Sequence, residues 1–373
     1  MTGIAFFDEY PGPILGHHPD LIVGLGRAAA EMMPVRLYCP LYYLSATDPP
    51  PAVKVVSVNG CRLPVDVDVT RDNLLSASHD ARNAGITTMV NLFFDESHPG
   101  VPLDDIGVRF VHVVHRPGEL PRDRSTKRRL AAVAERDAFV VHTVRGREVL
   151  DEVVPGASVT YVPWPAATAA AIDSRFNRMP AVVEPRRVAV VGGARRDKGT
   201  WVLLEAMVGG PPVHIIGELA PEDEQQVREW ARGSDVVWAD RWVDPHAMEE
   251  AIAAAAVLVF PYLPEFTRHA GASGSLAQAR TFAKPIVVSD VLAPELVSTA
   301  GCLKVPAGDV HALRRVVEQA LANDFELHNE AHSAARGSPT CSLLRVSCPG
   351  LAGRGLILMG FPEHSPIGTG NAP

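Results

Sequence analysis

Val188-Ala-Val-Val-Gly192-Gly193-Ala-Arg195-Arg196-Asp197-Lys198-Gly199-Thr200 is the stretch on which the reading of this chain turns. Small and β-branched apolar residues read as a buried strand, the glycine pair ends it, and Trp201-Val-Leu-Leu continues at helical spacing. A strand that breaks through a glycine turn into a helix is the repeating unit of a parallel α/β sheet. The turn is also suited to an anion. Glycines let the backbone approach a phosphate, a helix N-terminus contributes about 0.3–1 kcal/mol of anion stabilisation, and Arg195 with Lys198 adds charge. It is not a Walker loop, which requires Gly-Lys-Ser/Thr in that order. Taken alone, it also reads as a solvated basic turn after an edge strand, and that alternative stays open at this point.

The same alternation runs outward in both directions. Strands are predicted at 4–8, 35–39, 53–58, 88–94, 108–114, 138–142 and 159–162, with the clearest helices at 21–33, 126–136 and 146–153. Past the turn, strands follow at 213–216, 236–238, 257–260, 285–288 and 302–305, with helices at 199–207, 221–232, 245–255, 275–282 and 310–322. Pro163, Pro165, Pro180 and Pro185 interrupt the pattern between the two halves. The expected organisation is a first Rossmann-like domain over 1–165, a linker over 166–186 and a second such domain over 187–335. Residues 336–373 turn rich in Gly, Pro and Ser without amphipathic period and are expected to be disordered, their apolar piece 355–359 at most a stray strand.

At 373 residues the chain has material for two cores. A 47% hydrophobic and 21% charged composition is that of a globular protein, which excludes a fibrous or wholly disordered one. The net charge of -8 disfavours a nucleic-acid binder, so an anionic ligand must meet local positive charge. Five cysteines without metal-ligand spacing suggest a reducing cytoplasm. Neither a signal peptide nor an apolar run of about 20 residues is evident.

A second segment repeats the logic of the first. Strand Val257-Leu-Val-Phe260 leads through Glu265-Phe-Thr-Arg268-His269-Ala-Gly271-Ala-Ser273-Gly274-Ser275 into a helix, ahead of Lys284-Pro285-Ile-Val-Val-Ser289-Asp290. Ser273 or Ser275 can cap that helix while the neighbouring amides face a diphosphate. Together with Val213-His-Ile-Ile-Gly217-Glu218, Asp240-Arg-Trp-Val243 and Val305-Pro306-Ala-Gly308-Asp309, the pair resembles the donor half of the large retaining family of bacterial GT-B glycosyltransferases, closely over 187–325 and more loosely before that.

The resemblance implies a GT-B fold, two Rossmann-like domains with parallel sheets facing across a cleft. It implies a hexosyltransferase whose donor is a nucleotide diphosphate sugar and whose acceptor is a glycan, a lipid-linked molecule or a small molecule. It places the donor diphosphate on Arg195 and Lys198, near Gly193, Gly274 and Ser275, and puts Gln278 within reach of ribose hydroxyls. The family's arginine position in the first turn is Gly193, for which Arg195 or Arg196 substitutes. Its paired carboxylates fall on Ala270 and Gln278, and both are missing. In such a reaction charge grows on the departing diphosphate, so electrostatic stabilisation by Arg195, Lys198 and backbone amides suffices and no metal or cofactor is expected.

In the first half, His115 ends an apolar strand before Arg116-Pro117-Gly118 and is expected at the cleft, where family members keep a histidine on the donor sugar. His112, inside the strand, reads as a core residue. Gly16, His17 and His18 form a loop ahead of a helix, as cleft lining or as plain turn chemistry. Asp66-Val-Asp68 spells the Asp-x-Asp of metal-dependent transferases but lies among alternating valines, so it is read as a coincidence in a strand or loop. Arg122, Arg124, Lys127, Arg128 and Arg129 form a basic cluster, either a solvated face or a peripheral contact with an anionic membrane. Gly24-Leu-Gly26 sits inside a helical pattern, which weakens a dinucleotide-dependent oxidoreductase. A nucleotide-sugar epimerase and a non-catalytic, partner-binding relative remain as alternatives.

Overall fold

The computed structural model describes residues 3–9, 18–40, 53–58, 67–92, 94–95, 107–120, 123–162, 164, 177, 186–192, 194–217, 224–233, 235–239, 245–295, 300–336, 345–346 and 356–357. Strands β1 (Ile4–Phe7), β2 (Val35–Cys39), β3 (Val53–Ser57), β4 (Thr88–Asn91), β5 (Arg109–Val114), β6 (Ala138–Val141) and β7 (Ser158–Tyr161) form a seven-stranded sheet ordered β3-β2-β1-β4-β5-β6-β7. Strands β8 (Val188–Val191), β9 (Val213–Ile216), β10 (Val236–Ala239), β11 (Val257–Phe260), β12 (Ile286–Ser289) and β13 (Cys302–Val305) form a six-stranded sheet ordered β10-β9-β8-β11-β12-β13. Neighbours pair in parallel throughout both sheets.

Strand order reverses between β1 and β4 in the first sheet and between β8 and β11 in the second. A crevice opens beyond the carboxyl ends of the strands at such a switch point, because the flanking connections leave in opposite directions. The strands β1, β6, β8, β11 and β12 are buried at every position because both faces are covered. Ile4 and Phe6 enter one core cluster while Ala5 and Phe7 enter another, and Val188 and Val190 face away from Ala189 and Val191 in the same manner. Each fully buried Val, Ile or Phe contributes about 1.5–3 kcal/mol.

The connecting helices are α1 (His18–Ala30), α2 (Val67–Asn83), α3 (Arg124–Ala134), α4 (Val144–Val153), α5 (Thr200–Ala206), α6 (Glu224–Trp230), α7 (Pro245–Ala253), α8 (Gly274–Arg280), α9 (Val310–Ala322) and α10 (Asp324–Arg336). Side chains stop the backbone at their starts: Asp123 accepts from Thr126 N, Thr143 from Gly146 N, Ser273 from Leu276 N and Asp309 from Ala312 N.

One expectation is corrected. Asp66 lies outside the described residues, and Asp68 stands in the first turn of α2 instead of in a strand or loop. The alternating valines mislead because Val69 is 38% exposed, whereas Thr70, Leu74, Ala77, Ser78 and Ala81 are buried at a helical period. The ordered pattern runs to the end of α10, a helix the sequence reading did not predict but which closes close to the expected boundary at 335; it buries Leu327, Ala331 and Ala335, and its Glu330 accepts from Gly301 N at 3.2 Å. Of the tail beyond it, Arg345–Val346 and Leu356–Ile357 pair as short antiparallel strands, and the rest lies outside the described residues. Among the described residues no helix is long and apolar enough to cross a membrane.

Candidate functional site

At the switch point of the second sheet, β8 ends at Val191 and runs into Gly192, β11 ends in Phe260 and α8 starts at Gly274. Gly192 has φ 101°, a conformation that side chains resist. A Cβ placed there would run into Ser275 Oγ and lie 2.9 Å from Lys198 Nζ. The glycine therefore allows the strand end, the basic turn and the first turn of α8 to converge on one point. Tyr262 lines the same place, its ring 5.7 Å from the Lys198 ammonium and its hydroxyl 3.1 Å from Ser273 Oγ. Burial and then the neighbouring charges of Arg195 and Arg116, partly offset by Asp197, push Lys198 down to about 8. A cation enclosed near others of its sign is stabilised by an anion placed among them.

Arg195 is oriented by its own turn. Its Nε and Nη2 donate to the two Asp197 carboxylate oxygens at 3.0 and 2.9 Å, a planar fork. Asp197 Oδ2 also lies 3.2 Å from His269 Nε2. Burial would raise the Asp197 carboxyl, but Arg195 and His269 outweigh it and hold the group below the usual carboxylate range.

The first sheet presents histidines at its carboxyl edge. His115, just past β5, donates from Nε2 to Leu92 O at 3.0 Å, and its backbone N–H is held by the Asp95 carboxylate, which also takes Arg116 N at 3.3 Å. His142, at the end of β6, donates from Nδ1 to Val162 O at 2.9 Å, so its Nε2 carries a lone pair. That Nε2 is buried without a hydrogen-bond partner, and burial holds the ring neutral by pushing its pKa down to about 4. Trp164 meets His142 edge-on at 4.5 Å and His115 at 5.7 Å, so the three rings form one aromatic corner. His112, deeper in β5, is a core residue as expected: it is 3% exposed, 3.4 Å from Asp137 Oδ2 and stacked on Phe110.

The two halves touch beside this site. The helical turn Pro264–His269 packs against the turn Pro117–Glu119, with His269 Nδ1 set against the Glu119 carboxylate. Gly118 abuts the Arg268 carbonyl and Gly271 the His115 carbonyl, so closely that neither place has room for a Cβ. Thr143 Oγ1 donates to Ala270 O at 2.5 Å. Ala270 is left-handed, φ 52°, and buries its methyl in a cluster of the first half with Phe94, Val114 and Leu120.

Of the residues expected at the site, Lys198, Gly274 and Ser275 stand together, and Arg195 lies on the adjoining turn. Ser273 Oγ caps α8, and Gln278 lies partly exposed on the same helix. His115 is at the edge of the other sheet, facing the seam through its carbonyl. Gly16, His17 and Gly193 lie outside the described residues, as does Arg122 of the basic cluster, whereas His18 opens α1. Arg124, Lys127, Arg128 and Arg129 are exposed on α3. Glu265 is exposed and forms no part of the convergence. Sequence reasoning passed over Asp95, Glu119, His142, Asp197 and His269, because each acts through a partner distant in the chain or through the neighbour it holds. Among the described residues, no group of three His, Cys, Asp or Glu is placed to hold a metal ion.

Residues 185–323 match the family model described as Glycosyl transferases group 1. Three solved structures share the fold over 90% of this chain. One is a glycosyltransferase from Rickettsia africae ESF-5, with a TM-score of 0.63 and 9% identity over 93% of its own chain. Another is WaaG, a glycosyltransferase involved in lipopolysaccharide biosynthesis, at 0.61 and 15% over 95%. The third is Anabaena Alr3699/HepE in complex with UDP, at 0.60 and 11% over 94%. The architecture is thus the GT-B arrangement expected from the sequence. No curated protein sequence matches the chain.

Proposed function

We propose, on the premise that residues 185–323 form a group 1 glycosyltransferase domain within a GT-B fold, that the protein moves a hexose from a nucleotide diphosphate sugar to an acceptor held by the first half. The observation that carries this reading is the convergence of Lys198, Ser275 and Gly192 at the switch point of the second sheet, inside the segment that matches the family. Lys198, with Arg195 and the amides of Gly274 and Ser275, neutralises the diphosphate as the anomeric C–O bond to phosphate breaks and the bond to the acceptor oxygen forms. The acceptor hydroxyl proton passes to the departing phosphate oxygen. His115 meets the sugar, Gln278 meets the ribose and Ser273 sets the helix that bears the amides. The clustered cations supply the charge, so transfer is read as metal-independent and, by the family resemblance, as retaining. HepE has been crystallised with UDP-glucose, which makes uridine donors the first to try.

The acceptor is a glycan, a lipid-linked molecule or a small molecule. The exposed Arg124, Lys127, Arg128 and Arg129 favour a peripheral, cytoplasmic-face contact with anionic lipid, each such side chain adding about 1 kcal/mol near the surface. Calorimetry with UDP, GDP and their sugar conjugates, with and without Mg²⁺, tests the donor site. Micromolar, Mg²⁺-independent binding that is lost in the Arg195→Ala, Lys198→Ala double variant, with folding unchanged, is expected. Affinity that survives the double variant overturns the phosphate assignment. A specific feature favours a second reading, a non-catalytic relative. Position 270, where the family has a carboxylate, here buries a methyl in the other half. Nucleotide binding without transfer or hydrolysis of any donor supports that reading.

A further inference from the structure

Arg195, Asp197, His269 and Glu119 form a continuous chain of polar contacts from the basic turn of the second half to the turn Pro117–Glu119 of the first. Arg195 commits Nε and one edge of Nη2 to Asp197 and keeps the rest of its N–H donors, because a guanidinium offers five in a fixed plane. Its plane is therefore set by Asp197 while its far edge remains able to donate. Asp197 is 18% exposed and shares its Oδ2 between Arg195 and His269, so moving His269 changes how the carboxylate sits. His269 is placed in turn by Glu119, which also takes Arg116 Nη1 at 3.3 Å. Arg116 stands close enough for its charge to act on Lys198.

We propose that His269 is an interdomain positioning residue: held by Glu119 of the first half, it fixes Asp197, which presents Arg195 to the diphosphate of the donor. The inference rests on the donor-site reading above and adds that the first half takes part in phosphate binding. The orientation of the phosphate-binding arginine then depends on the two halves being together. A nucleotide diphosphate draws the halves together through the same chain, since linkage between two sites is reciprocal.

The test uses the full-length protein, UDP and GDP by calorimetry, and uridine and guanosine by ligand-observed NMR. Glu119→Gln lies on the first half and is 44% exposed, so it leaves the folding of the second half intact. Glu119→Gln and His269→Ala are each expected to weaken diphosphate binding by about tenfold, the scale of one charge-assisted hydrogen bond, with nucleoside binding and melting temperature unchanged. His269→Gln, which keeps a donor toward Asp197, is expected to recover part of the loss. Equal weakening for nucleoside and diphosphate, or wild-type diphosphate affinity in Glu119→Gln, overturns the positioning role while leaving the donor site standing. A wild-type protein that binds neither UDP nor GDP overturns the donor-site reading and this inference with it.

Discussion

Replacing Gly192 by alanine adds one methyl group to the centre of the site. The consequences separate into two magnitudes. First, an L side chain at φ 101° adopts a sparsely populated conformation, which costs about 1–3 kcal/mol of folding stability. Second, the new Cβ lies 2.9 Å from Lys198 Nζ and still closer to Ser275 Oγ. Non-bonded atoms prefer about 3.5 Å or more, so the ammonium has to retreat by roughly 0.6 Å. The serine hydroxyl escapes by changing rotamer, but the lysine is enclosed and has less room. A charge-assisted hydrogen bond is worth about 1.5–3 kcal/mol, so the weakening of nucleoside diphosphate binding is expected at roughly 10- to 150-fold. Urea denaturation measures the first effect, and calorimetry at a temperature where the variant is folded measures the second. A folded Gly192→Ala protein that binds its diphosphate as wild type does refutes the convergence of Lys198 and Ser275 on the ligand.

Thr143 serves two bonds with one oxygen, accepting from Gly146 N at 2.8 Å and donating to Ala270 O. Thr143→Val is therefore expected to lose about 1–2 kcal/mol in denaturant unfolding, while Thr143→Ser loses little. Gly118→Ala and Gly271→Ala each drive a Cβ into the backbone of the other half, so both are expected to raise the radius of gyration in small-angle scattering; an unchanged radius refutes the tight seam. Burial lowers the His142 pKa from its ordinary value near 6.5 to about 4, which means the unfolded chain binds the proton first as pH falls. Stability from this group is thus intact above about pH 6.5 and falls toward pH 4, by at most about 3 kcal/mol, and His142→Asn is expected to flatten that decline in urea titrations.

Most of the fold was legible because buried parallel strands advertise themselves. Val188–Val191 and Val257–Phe260 are apolar at successive positions and end at glycine or proline, so even their boundaries agree with the reading. Helix α2 was not legible, because Val65-Asp-Val-Asp-Val69 imitates a strand and its buried face is built from Thr, Ser and Ala with a single leucine. Helix α10 was obscured for a similar reason, its buried face being mainly alanine beside a buried His328. At the site, Lys198 and Ser275 could be found since glycine and positive charge before a helix carry their own chemical meaning. Asp197 and His269 could not, since an acid between two basic residues reads as local neutralisation. Their meaning lies in a contact spanning 72 positions. Ala270 was identified as a missing carboxylate, but its burial in the opposite half depends on a tertiary contact with no local signature.

The left-handed alanine sets a rule for anyone who would graft one half of this protein onto another scaffold. Although 264–271 is continuous with the second sheet in the chain, Ala270 completes the interior of the first. A chimera cut at the linker separates that methyl from Phe94, Val114 and Leu120, leaving a dent on one partner and an exposed protrusion on the other. Modular exchange succeeds only if the recipient supplies matching contours for this loop, so the two lobes constrain each other as subunits of an obligate pair do.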